Sequence, residues 1–257
     1  MQVPFGRAEL SLELCDVELC KVRLRTGTSG FSYKEWKGTF YPEDLPAKSF
    51  LSYYAEHFPT VEINNTFYRL PKRETLEKWA DTVGEDFQFV LKASRRITHF
   101  KRLKEIDEVL EYFLETATAL GPHQGPFLFQ LPPNFKCDLD RLGAFLELLP
   151  AERRAVMEFR HASWFDEPVY ELLRAHGVAL CGTDTGGEHD APLIRTTDWG
   201  YLRLRRVEYG DEDLVEWCER IAKADWSDVF VFFKHEDAGT GPRLAAQFRQ
   251  LFEQRHG

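Results

Sequence analysis

The stretch Ala155-Val156-Met157-Glu158-Phe159-Arg160-His161 carries the reading of the fold. In an extended chain successive side chains point to opposite faces. Met157 and Phe159 then share one face, and Val156, Glu158 and Arg160 share the other. A strand with one wholly apolar face, and a second face that turns from apolar to charged along its length, fits a closed parallel barrel. The apolar face meets surrounding helices, while the mixed face lines the interior and becomes polar at the C-terminal mouth. Seven further short apolar runs accompany it, at 22–28, 60–65, 87–94, 126–131, 178–184, 200–205 and 228–235. Nearly every run ends in a hydrogen-bonding or ionisable side chain.

Helix-length segments separate most of these runs, at 47–57, 73–82, 103–120, 139–148, 167–175, 212–224 and 242–254. Parallel strands need such crossovers. The spacing of Ile106, Val109, Leu110, Phe113 and Leu114 is helical, and Asp138 and Asp211 stand where helix caps belong. Residues 185–199 contain Gly186-Gly187 and Pro192 and read as loop, so one crossover helix is short or missing. The predicted fold is an α/β, TIM-type (β/α)8 barrel over residues 22–257. Residues 1–21 form an N-terminal extension whose alternation of Leu10, Leu12 and Leu14 with Glu9, Glu13 and Asp16 suggests an extra strand or hairpin.

A chain of 257 residues has the length of one such barrel, and 43% hydrophobic residues supply its core. The net charge of −9 argues against a general nucleic-acid or anionic-membrane surface. No run approaches the roughly 20 apolar residues of a membrane span, and residues 1–7 lack the blocks of a signal peptide. Five scattered cysteines, with no CxxC, fit a reducing compartment, so a cytoplasmic location is expected.

Strand phase turns the run endings into a map. Glu62 and Asn64 lie opposite Val61 and Ile63, Lys92 opposite Leu91, Arg203 and Arg205 opposite Leu202 and Leu204, and Lys234 opposite Phe233. The expected interior therefore sets Arg25, Lys92, Arg160, Arg203 and Lys234 against Glu62, Glu158 and Asp184, a locally basic pocket in an acidic protein. Glu62 and Glu158 are the candidate proton movers, as an acid/base pair or as the nucleophile and acid of a retaining glycosidase. The competing reading makes each the partner of a buried cation, for instance Arg25 with Glu62. Thr28, Ser29, Asn64, Lys92, Gln130, Arg160, His161, Asp184, Arg203 and Lys234 are the candidate ligand-binding residues.

Gly27-Thr28-Ser29-Gly30 reads equally as an anion-binding glycine turn or as a tight βα turn. Arginine suits a carboxylate or phosphate, and histidine titrates near neutrality. His161 follows Arg160 on the opposite face and belongs to the loop. Tyr33, Trp36, Tyr41, Tyr68 and Trp164, together with Phe67, follow runs one, two and five as an aromatic rim or as loop packing. Glu62, Glu158, Asp184, His161 and His235 form an oxygen/nitrogen donor set suited to a metal. The cations Lys92, Arg160 and Lys234 in the same space argue against one, so no metal or cofactor is expected. The expected partner is a small anionic, phosphorylated or polyhydroxylated substrate, acted on by a hydrolase or isomerase. A nucleic-acid-associated factor and a metal-dependent isomerase or endonuclease-like barrel are the alternatives.

Several ordered motifs carry a resemblance: Gly27-Thr28-Ser29-Gly30-Phe31-Ser32-Tyr33 with Trp36, Glu62-Ile63-Asn64-Asn65-Thr66-Phe67-Tyr68, Lys92 with Ile97-Thr98-His99, Phe129-Gln130-Leu131-Pro132-Pro133, and Glu158-Phe159-Arg160-His161 with Trp164. Together they resemble the YecE-like (YunF-like) family, a domain of unknown function, over about residues 22–252. The resemblance implies an α/β barrel and no established reaction. Where the family usually ends its seventh strand in an Arg-Leu-His-Gly-like sequence, this chain has Arg203-Leu204-Arg205-Arg206. The common Phe-Asn-Asn ending of the eighth strand is here Phe233-Lys234-His235. Both departures add positive charge to the mouth.

Overall fold

The computed structural model describes residues 22–187, 190–235 and 237–256. The N-terminal hairpin expected before residue 22 lies outside these described residues. Eight strands run β1 (Arg23–Thr28), β2 (Thr60–Ile63), β3 (Gln88–Lys92), β4 (Gln124–Gln130), β5 (Ala155–Glu158), β6 (Ala179–Asp184), β7 (Trp199–Leu204) and β8 (Asp228–Phe233). Their order is β1-β8-β7-β6-β5-β4-β3-β2, with every neighbouring pair parallel. Helices α1 (Phe50–His57), α2 (Arg73–Ala80), α3 (Asp107–Ala117), α4 (Leu139–Leu146), α5 (Glu167–Ala175), α6 (Asp211–Ala222) and α7 (Thr240–His256) cover the outside. Among the described residues no helix joins β6 to β7, as the glycines and proline of that segment predict. The architecture is the expected α/β barrel. No helix of the described residues is long and apolar enough to cross a membrane.

Two apolar populations hold the layers. Val61, Ile63, Phe89, Leu91, Phe127, Phe129, Met157, Phe159, Leu202, Leu204, Val231 and Phe233 face outward and pack with the helices. Val90, Leu128, Val156, Ala179, Cys181, Trp199, Tyr201, Phe230 and Phe232 fill the interior as a separate cluster. The barrel is thus a packed core rather than a pore. Its floor is ionic: Arg25 and Arg154 flank Asp228 at 3.3 and 2.6 Å. Arg25 therefore neutralises Asp228 at the strand N-termini and has no contact with Glu62, correcting the pairing suggested by strand phase alone.

Between β1 and β2 the barrel closes without a continuous ladder; one bridge joins Ser29 to Glu62. The Tyr54 hydroxyl of α1 spans the same seam. It accepts from Thr28 N at 2.8 Å and from Thr28 Oγ1 at 2.9 Å, and it donates to Thr60 O at 3.1 Å. Gly27 permits the close approach, since a Cβ there would stand 2.1 Å from Thr60 O. At the helix starts, Asp138 caps α4 by accepting from Arg141 N at 3.1 Å. Asp211 is the first residue of α6 rather than its cap. Gly210 holds the cap position, and its N–H donates to Asp213 at 2.9 Å.

Candidate ligand site at the strand ends

The strands stop where their inward side chains become charged, and those charges meet at one point. Arg203, two residues beyond the interior Tyr201 on β7, reaches across the mouth and is fully buried. Its Nη1 donates to Glu158 Oε2 at 2.5 Å and its Nη2 to Glu62 Oε1 at 2.7 Å. Glu62 also accepts from Ser29 Oγ at 2.7 Å, Asn64 Nδ2 at 3.1 Å and the Tyr201 hydroxyl at 2.6 Å. Glu158 accepts from Arg160 Nε at 3.0 Å, with Arg205 Nη1 3.8 Å away. Nearby, Lys92 Nζ donates to Gln130 Oε1 at 2.6 Å and lies 4.4 Å from the centroid of the Phe67 ring.

These contacts set the ionisation of the groups. Burial alone would raise the Glu158 carboxyl; Arg203, Arg160 and Lys92 override it and hold it at about 2. Glu62 is likewise held below the usual carboxylate range, burial being outweighed by Arg203 and by bonds from Tyr201 and Ser29. The Arg203 guanidinium is correspondingly stabilised, burial being overcome by Glu158 and Glu62. Lys92 goes the other way. Burial and the adjacent Arg203 charge bring its ammonium down to about 7 against the partial support of Glu158 and Glu62. His99, beyond Phe67, falls to about 4 through burial and the charges of Lys92 and Arg160. Its ring stands edge-on to Phe67 with centroids 4.8 Å apart, and Nδ1 is held by Thr98 Oγ1 at 2.9 Å.

Of the residues singled out from sequence, Ser29, Glu62, Asn64, Lys92, Gln130, Glu158, Arg160 and Arg203 come together in this cluster. Lys234 lies half-buried one residue past β8, where its N–H donates to Leu204 O at 3.2 Å. His161 is a loop residue, as its phase implies, and caps the turn Ala162–Trp164 through Ser163. Two residues do not belong. Asp184 sits out of phase with the interior Cys181, so its carboxylate faces α6, accepting from Trp217 Nε1 at 2.9 Å and pairing with Arg206 at 3.0 Å. Thr28 turns outward to Tyr54. The glycine turn offers no nest for an anion: the N–H groups of Thr28, Ser29 and Gly30 donate to Tyr54, Phe233 O and Thr28 O.

Most of the aromatic rim is core. Trp36 and Tyr41 are buried, with Tyr41 stacked on Phe50 at 4.1 Å and bonded to Phe31 O at 2.5 Å. Trp164 stacks on Phe159 at 4.6 Å and donates to Phe135 O at 2.7 Å. The polar handles of Tyr41 and Trp164 are satisfied by backbone, which lets those rings be buried, whereas the buried Trp36 Nε1 has no acceptor among the described residues. Tyr33 is half-buried and donates to Ser29 O at 2.8 Å; Tyr68 remains 67% exposed. The cluster also contains residues outside the candidate ligand-binding set: Tyr201, His99, and Arg205, which strand phase places on the interior face. Among the described residues, no group of three His, Cys, Asp or Glu side chains converges in a way that would hold a metal.

The arrangement is a surplus of donors. Both carboxylates are engaged by Arg203, yet Lys92, Arg160 and Arg205 remain beside them with N–H groups that no described residue engages, and Arg203 Nε is buried without an acceptor among the described residues. A cavity of about 550 Å³ lies on the side of α1 and α2, lined in part by Gly30, Tyr33, Lys48, Lys78 and Trp79, and meets the cluster at Asn64 rather than at its cations.

Fold and site together define an α/β barrel with an arginine-centred polar cluster at its strand ends. The chain belongs to the DUF72 family, described as a protein of unknown function, whose model matches residues 25–257. It is 27% identical to the UPF0759 protein YunF of Bacillus subtilis over 256 residues, 84% of this chain and 90% of that protein. With the UPF0759 protein YecE of Escherichia coli it shares 37% identity over 135 residues, 52% of this chain and 50% of YecE. A crystal structure of a DUF72 family protein from Thermotoga maritima superposes with a TM-score of 0.80 at 30% identity, covering 90% of this chain and 99% of the other. A methyltransferase from Methanosarcina mazei shares the fold alone, with a TM-score of 0.54 at 10% identity over 92% of this chain and 95% of its own.

Proposed function

We propose that the strand mouth binds a small anionic, phosphorylated or polyhydroxylated compound, and that the protein is an enzyme, a hydrolase or isomerase, moving a proton on it. The carrying observation is the unspent donor capacity of Lys92, Arg160 and Arg205 around carboxylates already engaged by Arg203. A buried excess of positive charge is costly unless an anion joins it, and arginine forks suit carboxylate and phosphate oxygens. In this reading Glu62 and Glu158 are fixed counter-charges. A carboxylate held at about 2 is a poor base at neutral pH. Proton movement passes instead to Lys92, whose ammonium titrates at about 7. Asn64, bonded to Glu62 at 3.1 Å, and Gln130, bonded to Lys92 at 2.6 Å, orient the ligand.

Calorimetric titration with inorganic phosphate and a panel of sugar phosphates tests the reading. Saturable binding is expected, weakened at least about tenfold, or about 1.4 kcal/mol, in Arg160→Met. Equal affinity of wild type and variant, or no binding at low salt, would overturn it.

A second reading, the gripping of a nucleic-acid end, draws on the exposed rings of Tyr68 and Phe100, over which Arg95 stacks at 5.4 and 5.2 Å. It requires affinity for single strands that falls steeply with salt.

A further inference from the structure

Lys92 stands apart from the other buried charges at the mouth, because among the described residues no carboxylate oxygen touches it. Its hydrogen-bond partner among them is the neutral amide of Gln130, at 2.6 Å, and one side of the ammonium rests against the face of Phe67. The nearby carboxylate oxygens are engaged by Arg203, Arg160, Ser29, Asn64 and Tyr201. A lysine shielded from water beside another cation is the arrangement that activates an amine as a nucleophile. Arg160 and Arg205, both about four-fifths buried, offer donors for an anionic group on the same compound.

We propose that Lys92 Nζ condenses with the aldehyde or ketone of a small carbonyl compound bearing a phosphate or carboxylate, forming an imine at the strand mouth. The inference deepens and rests on the anion-site reading given above. The Nζ lone pair adds to the carbonyl carbon as the carbon–oxygen π pair moves to oxygen. The two amine protons then leave with that oxygen as water, and the carbon–nitrogen double bond forms. No oxidant or reductant is consumed. His99, which shares Phe67 with Lys92, is neutral near pH 7 and adds no further cation at the mouth; solvent carries the protons. At that pH an amine titrating at about 7 has roughly a thousandfold larger neutral fraction than an ordinary lysine.

The test treats the full chain at pH 7 with glyceraldehyde 3-phosphate and borohydride, which reduces an imine to a stable secondary amine, and maps the product by peptide mass spectrometry. Labelling at Lys92 is expected to exceed that at the exposed Lys104 at least tenfold. It should fall about tenfold with unphosphorylated glyceraldehyde, be suppressed by excess inorganic phosphate, and vanish in Lys92→Arg. Labelling spread evenly over surface lysines, in protein that still binds phosphate, would overturn the imine and leave the anion site standing. Absence of both labelling and phosphate binding would overturn the two together.

Discussion

Arg203 Nη2 lies 2.7 Å from Glu62 Oε1, a contact between β7 and β2 across the mouth of the barrel, with both side chains closed to solvent. The same guanidinium holds Glu158, so one cation neutralises two buried anions. Removing it leaves Glu62 buried without an ion pair among the described residues and takes the closest of Glu158's cations, leaving Arg160 and the more distant Arg205. Arg203→Met should therefore cost about 3–5 kcal/mol, read from urea unfolding at pH 7. Adding Glu62→Gln and Glu158→Gln to that variant should recover part of the loss. A triple variant no more stable than Arg203→Met alone would show that the charges are not the source of the cost.

Lys92 gives a pH signature of the opposite kind from a salt-bridged group. Its ammonium is lowered to about 7 in the folded protein from an ordinary value of 10.5. Between those limits the unfolded chain binds more protons, so stability rises with pH across that window and the penalty is felt in full below it. Arg203, Glu62, Glu158, Arg160 and His99 face it, and all remain in Lys92→Met. Urea midpoints at pH 6.5 and 9.5 should show wild type gaining on Lys92→Met as pH rises. A constant difference would contradict the lowered value.

Asp184 belongs to the packing of α6 on the barrel rather than to the ligand site. Asp184→Asn should lose about 1–3 kcal/mol through weakened bonds to Trp217 and Arg206, while leaving phosphate affinity unchanged. Unfolding curves and calorimetry on the same sample separate the two. A loss of affinity with unchanged stability would return Asp184 to the site.

The seam between β1 and β2 depends on one phenol. Tyr54→Phe strips partners from Thr28 N and Thr60 O, both buried, at a cost of about 1–3 kcal/mol. Amide exchange at Thr28 should accelerate, with that at interior β7 residues little changed relative to global unfolding. Unaltered exchange at Thr28 would show that the seam is held by other contacts.

How much of this was legible in the sequence follows from where alternation existed. Met157 and Phe159 against Glu158, and Val61 and Ile63 against Glu62, set their strands' phase unambiguously, and those carboxylates are where phase puts them. The run before Asp184 offers Val178, Ala179, Leu180, Cys181 and Gly182 without alternation, so its phase was unreadable and its carboxylate was turned the wrong way. Tyr201 passes for an interior apolar residue until its hydroxyl is seen on Glu62. The rings of Tyr41 and Trp164 carry no local sign of facing inward, because the carbonyls that satisfy them come from Phe31 and Phe135, and Trp36 is buried by tertiary packing against Tyr33, Phe40 and Tyr41. Arg203 as the hub was out of reach for a similar reason: strand phase gives the face of a side chain, whereas its choice among several opposite charges is set by reach across the barrel.

Seven joints of this barrel are zipped by backbone ladders, the β3–β4 one with a register shift, and the eighth is fastened by a bridge and a phenol. A uniform ring spreads thermal strain around its circumference, whereas a ring with one weaker joint gathers it there. Opening of the barrel is expected to begin there, beside Ser29 and Asn64. Glu62 stands on one lip of that slit, bonded both to Ser29 across it and to Arg203 across the mouth, so the arginine hub and the weakest joint share one carboxylate.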